Sequence, residues 1–162
     1  ICNGFQALIK LGLVPYGDIV PMTAECPTLT FNTIGRHQSR LVRTRVASNL
    51  SPWLAKTEGG DMHTIAISHG EGRFVASDDV LAQLKANGQI ATQYVDEAGV
   101  PGMDLDVNPN GSLLAIEGIT SPDGRVFGKM GHSERYSNGT FKNVPGEKDQ
   151  PLFTAGVEYF TA

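Results

Sequence analysis

Residues 1–12 read ICNGFQALIKLG, with a cysteine in second place, a glycine two residues on and a helical pattern behind it. Phe5, Leu8, Ile9 and Leu11 follow helical spacing and Gly12 supplies a C-terminal stop, so a helix follows Cys2 directly. A nucleophile raised on a sharp strand-to-helix turn needs small neighbours that permit a strained backbone, and Gly4 meets that need. A thiol at a helix N-terminus has its thiolate stabilised by the helix dipole and by free backbone N–H groups. The N–H of Asn3 is placed to help hold an oxyanion, and Gln6, four residues after Cys2, shares its helix face. Free cysteine is more often a small buried hydrophobe. Cys2 therefore counts as a nucleophile only if the chain also supplies a base and a partner that orients it.

Outward from that helix, the chain has the size and composition of one soluble domain: 162 residues, 40% hydrophobic, 19% charged. A net charge of −4 offers no surface for nucleic acid or an anionic membrane, and no apolar run reaches the length of a membrane span. Two cysteines, Cys2 and Cys26, make no disulfide framework, and no leader of the signal-peptide kind is present, so a reducing, cytoplasmic setting is expected. The 19 glycines and 9 prolines punctuate the chain throughout and predict short strands and turns.

TLTFN (28–32) and SRLVRTRVA (39–47) alternate as paired strands do, with Gly35 in the turn between them. SPWL (51–54) is a short turn that makes Trp53 available to the core. HTIAISHGEGRFVAS (63–77) is a strong strand broken by a glycine-rich bend at His69–Gly72. SDDVLAQLKANG (77–88) is the second helix, capped by Ser77, with Asp78 and Asp79 complementing its dipole and Gly88 ending it. QIATQYV (89–95) is a further strand and NPNGS (108–112) a turn. SLLAIEGITS (112–121) and RVFGKMGH (125–132) form a hairpin about Asp123-Gly124. The tail from Tyr136 is polar until a short apolar end at LFTAGVEYF (152–160). The sum is mixed α/β with more strand than helix: either an α+β fold, or an α/β fold of which part is absent.

Of the four histidines, His132 in KMGHSER (129–135) is the best candidate base. Glu134 is two residues on, so an extended backbone projects both side chains to one side, where the carboxylate can fix the imidazole tautomer. Alone, H-x-E is equally the mark of an ordinary charged strand end. In SHGEGRF (68–74) the glycines allow close approach of a ligand to the backbone near His69, but no phosphate-loop pattern follows. His63 and His69 lack the further ligands of a zinc site. RHQSRLVRTR (36–45) concentrates four arginines, whose default reading is a solvated face and whose minority reading is contact with a partner domain or an anionic group.

Taken together, ICNGFQ and the distant GHSER resemble the class I glutamine amidotransferases, whose elbow reads G-x-C-x-G-x-Q. LTFNTIGRHQSRLVRTRV, SPWL, IAISHGEGRF and NPNGSLLAIEGITSPDGRVFGKMGHSER narrow this to the glutaminase domains of phosphoribosylformylglycinamidine synthases, in the same order from Ile1 to the tail. The resemblance implies a flavodoxin-like three-layer α/β fold. It makes Cys2 the nucleophile, His132 its base and Glu134 the orienting acid. It places Asn3, Gln6, Ser68, His69, Gly70 and Glu71 at the glutamine pocket. Ammonia released from glutamine would pass to a synthase domain or subunit of the same enzyme, which holds ATP and magnesium; no cofactor or metal is expected in residues 1–162. Two departures stand out. The family's final motif usually reads P-H-P-E-R, whereas Gly131 and Ser133 flank the histidine here, which predicts a less rigid loop. The βα units that the family places before its elbow are missing, so the chain is expected to be a strand-rich C-terminal part of a single amidotransferase domain, inactive in isolation. The competing readings are another cysteine hydrolase of the same fold and a non-catalytic docking module.

Overall fold

Stretches of β-branched residues joined by short connections give antiparallel pairing in residues 1–162, all of which the computed structural model describes. The first helix, α1 (Asn3–Leu11), buries Phe5 and Ile9 and stops at Gly12, whose positive φ lets its N–H return to the Ile9 carbonyl. A short second helix, α2 (Leu13–Tyr16), follows. The strands are β1 (Thr28–Thr30), β2 (Gln38–Val46), β3 (Met62–His69), β4 (Arg73–Val75), β5 (Ile90–Tyr94), β6 (Ile116–Thr120) and β7 (Phe127–Lys129). Helix α3 (Asp78–Ala86) is capped by Ser77, whose hydroxyl accepts from the Val80 N–H at 3.4 Å. Gly88 ends it as expected: Asn87 is the C-cap, and Gly88, at φ 66°, is the left-handed residue just past it.

Five strands form one sheet in the order β3-β2-β5-β6-β7. The β6–β7 hairpin turns at Asp123-Gly124 as expected, with Asp123 accepting from the Ser121 hydroxyl and the Arg125 N–H. Beyond β7 the chain returns to β3 through an antiparallel bridge between Ala66 and His132, so the sheet curls on itself. Val42, Ile67, Tyr94 and Ala115 pack together within it. A larger cluster joins α1 to the sheet through Phe5, Ile9, Ile116, Ile119 and Met130. The α/β class agrees with expectation, but a flavodoxin-like layer implies parallel strands, and every pairing in these residues is antiparallel.

Two expectations need correction, and the tail takes a form that its pattern left open. β1 does not pair with β2; it forms a separate two-stranded ribbon with β4, in the register Leu29↔Phe74. The cause is Asn32, just past β1, whose side chain donates to the His69 carbonyl at 2.9 Å and accepts from the Gly72 N–H at 3.1 Å. Those bonds seat β1 beside the segment after β3, and the turn at Gly35 then carries the chain across to β2. The apolar tail is a helix, α4 (Leu152–Thr161), with Leu152, Ala155 and Gly156 buried at helical spacing. Gly156 lies flat on Trp53, where a Cβ would come within 2.2 Å of the indole, so Trp53 is half-buried under α4 while Leu54 enters the core. The second correction concerns the arginines. Arg40 donates to the Leu105 and Asp106 carbonyls, Arg43 pairs with Glu97, and Arg45 donates to Gln93 and the Gly99 carbonyl. These three side chains brace the 96–107 loop of the same chain.

Candidate active site

Cys2 stands between the β7 edge and α1. Its N–H donates to the Lys129 carbonyl at 2.8 Å, and its φ of 52° and ψ of −109° are a conformation that non-glycine residues avoid. Such strain is held in place by its surroundings. The Cys2 carbonyl accepts from Gln6, and the Ile1 carbonyl accepts from Gly4. The thiol therefore sits at the N-terminus of α1, half-buried, with Sγ 3.9 Å from the Ser68 carbonyl. Gly4 has open space around its α-carbon, so nothing in these residues requires its lack of a side chain.

His132 reaches the same place from the other side. Its N–H donates to the Ala66 carbonyl at 2.8 Å. Ala66 and Ser68 are alternate residues of β3, so their carbonyls face one edge roughly 7 Å apart. One of them holds the His132 backbone and the other lies against the Cys2 thiol. The His132 Nδ1 hydrogen-bonds Glu134 Oε1 at 2.5 Å, while Nε2 is buried and makes no hydrogen bond. Burial pushes the Glu134 carboxyl up, but the bond to His132, a backbone N–H and Arg135 together hold it below the usual carboxylate range.

The glycine-rich bend between β3 and β4 forms the adjoining wall. The Gln6 amide donates to the Glu71 carbonyl at 2.9 Å, tying α1 to the bend, while the Glu71 side chain is exposed. Asn32 fixes the bend from below through its own N–H to Gly70 and its side chain to His69 and Gly72. His69 is buried with neither ring nitrogen bonded, and its ring fills the space where a Gly72 side chain would be. Burial pushes the His69 imidazole down to about 4 against the opposing pull of Glu117, so it is neutral at pH 7. Ser68 hydrogen-bonds His37 at 3.1 Å. Of the six pocket candidates, then, Gln6, Glu71, Gly70 and His69 meet in one bend, Ser68 touches Cys2, and Asn3 is exposed at the start of α1.

Sequence reasoning missed the layer beneath. NPNGS turns as expected, but the turn is not at the surface: Asn108, Asn110 and Ser112 are fully buried. Asn110 donates to the Gly72 carbonyl at 2.9 Å and to the Tyr94 hydroxyl at 2.8 Å, and Ser112 donates to Gly72 and accepts from Phe74. It also missed Glu117 and Lys129, a buried ion pair of 3.7 Å beneath the His132 loop. The available signal was a polar residue inside an apolar strand at each position, as in AIEGI and VFGKM. No cluster of three or more His, Cys, Asp or Glu side chains is arranged to hold a metal ion. A cavity of about 490 Å³ lies elsewhere, between Arg45, Lys85, Ile90, Met103 and Leu114, and shares no residue with the Cys2–His132 ledge. No helix is long and apolar enough to cross a membrane.

A strained thiol at a helix N-terminus, an imidazole with one nitrogen fixed by a carboxylate and the other free, and a rigid polar wall are the components of nucleophilic acyl transfer. Comparison with known proteins points the same way. Residues 1–160 match the CobB/CobQ-like glutamine amidotransferase domain family. A relative from Aquifex aeolicus, phosphoribosylformylglycinamidine synthase subunit PurQ, is 39% identical over 137 residues, which is 85% of this chain and 55% of the relative. A protein of the same name from Methanosarcina acetivorans is 32% identical over 161 residues, 99% of this chain and 62% of the relative. Among solved structures, PurLQS from Thermotoga maritima superposes with a TM-score of 0.68 at 30% identity, covering 98% of this chain and 59% of that one. The chain thus spans little more than half the length of the relatives it matches.

Proposed function

The chain belongs to the CobB/CobQ-like glutamine amidotransferase domain family, and on that premise we propose that it is the glutaminase component of a phosphoribosylformylglycinamidine synthase. The observation that carries the reading is the convergence of Cys2 and the His132–Glu134 pair on one edge of β3. The names of the relatives supply the enzyme, a phosphoribosylformylglycinamidine synthase, and the family description supplies glutamine as the amide donor.

In this reading residues 1–162 belong to one amidotransferase domain. The Cys2 thiolate attacks the side-chain amide carbon of glutamine, forming a C–S bond and an oxyanion that the Asn3 N–H and the α1 dipole stabilise. His132, charged by the thiol proton and held by Glu134, protonates the amide nitrogen as the C–N bond breaks and ammonia leaves. Water, deprotonated by His132, then attacks the thioester, releasing glutamate and restoring the thiol. The neutral His69, Gln6 and the 68–71 backbone line the glutamine. Ammonia passes to the synthase component, which uses ATP and magnesium to convert formylglycinamide ribonucleotide to formylglycinamidine ribonucleotide; residues 1–162 need bind neither.

The test is glutamine hydrolysis by the full-length protein with its synthase partner. Cys2→Ala abolishes glutamate release while synthesis from added ammonium persists, and His132→Ala lowers kcat by roughly 100- to 10,000-fold. Glutamine turnover that survives in Cys2→Ala contradicts the reading.

A further inference from the structure

The residues on either side of His132 are both held by one buried ion pair. The Glu117 carboxylate, on β6, accepts the Gly131 N–H at 2.5 Å and the Thr92 hydroxyl. The Lys129 ammonium, on β7, lies 3.7 Å from Glu117 Oε1 and donates to Ser133 Oγ at 2.8 Å and Gln150 Oε1 at 2.7 Å. Ser133 donates in turn to the same Gln150 oxygen at 2.6 Å. Glu117 and Lys129 are 0% and 1% exposed. His69, Tyr94, His63 and Glu134 are the other titratable groups that face the pair.

Stability alone does not account for this arrangement, because well-packed apolar side chains commonly replace a buried ion pair at no cost. The pair does something an apolar contact cannot: it fixes a donor immediately before His132 and a hydroxyl immediately after it. Gly131 is adapted to it, since a Cβ there would lie 2.8 Å from Glu117 Oε1 and 2.8 Å from Ile65 Cγ2. A proline at 131 would also lack the N–H that Glu117 accepts. The loop expected to be slack for want of prolines is instead pinned by charge-assisted hydrogen bonds.

We infer that Glu117 and Lys129 are positioning residues for His132, a hydrogen-bonded device that holds the imidazole toward Cys2 and takes the place of flanking prolines. The inference rests on the reading of Cys2 and His132 as the reacting pair.

Two readouts on the full-length protein test it: the pH profile of Cys2 alkylation by iodoacetamide, followed at Cys2 by mass spectrometry, and kcat and KM for glutamine. A displaced imidazole no longer assists the thiol. In Lys129→Met, therefore, the alkylation rate at pH 6 falls about 10- to 100-fold towards that of His132→Ala, and kcat falls similarly while KM changes less than about threefold. If Lys129→Met does not fold, Ser133→Ala removes a single hydroxyl and is read the same way, with a loss of the same sign. Wild-type profiles and kcat in both single variants, with only earlier unfolding, overturn the inference. A protein that hydrolyses no glutamine, yet whose Cys2 alkylation still depends on Lys129, overturns the glutamine reading and supports the positioning role.

Discussion

At the scale of single residues, His69 shows how burial sets the state of a group before any ligand arrives. Its imidazole is buried without a hydrogen bond and held to about 4, against an ordinary value of 6.5. The unfolded chain binds a proton here between those two values and the native chain does not, so stability must rise with pH through that window. The contribution is fully present above pH 6.5 and is lost as the pH falls towards about 4, by an amount on the order of 3 kcal/mol. His63, also lowered, chiefly by burial and by Lys129, adds a slope of the same sign. Urea unfolding between pH 4 and 6.5 should therefore show a positive slope of stability against pH that is shallower in His69→Gln. An unchanged slope would mean that His69 is not the buried base described.

Elements show why some of the architecture was legible and some was not. The helix behind Cys2, the cap at Ser77 and the Asp123-Gly124 hairpin are local, written in spacing and turn chemistry, and the chain forms them as read. The pairing of β1 with β4 is not local: it depends on Asn32 reaching 37 residues along the chain to His69. An alternating strand pattern says that a segment pairs but not with what. The same holds for NPNGS, which turns as its residues predict but is buried as the latch on the β3–β4 bend. Asn110→Ala strips a donor from both Gly72 and Tyr94, and should cost about 1–3 kcal/mol in urea unfolding while raising KM for glutamine more than it lowers kcat. A second consequence concerns α1 and β7. A Cβ at Gly128 would lie 2.2 Å from the Phe5 ring, so Gly128→Ala should destabilise by about 1–3 kcal/mol, and by less in a Phe5→Leu background. Additive losses would show that the two residues are not in contact.

Across the whole molecule, the curl of the sheet is what makes a site. Nothing in the primary sequence sets residue 2 beside residue 132. The bridge from Ala66 to His132 and the bond from Cys2 to Lys129 do so, because β3 and β7, the two edges of the five-stranded sheet, come round to meet. The residues proposed to react were legible only as types in a familiar order. Their supports, Glu117 and Lys129, were not, because each looks like an accident of polarity inside an apolar strand until the fold brings them together. The central claim is that Cys2 is the nucleophile toward glutamine, and covalent capture tests it most directly. The full-length protein, exposed to a diazoketone analogue of glutamine and digested, should carry the adduct at Cys2, with excess glutamine protecting it and Cys2→Ala taking up none. An adduct at Cys26 or elsewhere, or labelling that glutamine does not compete, would contradict the account.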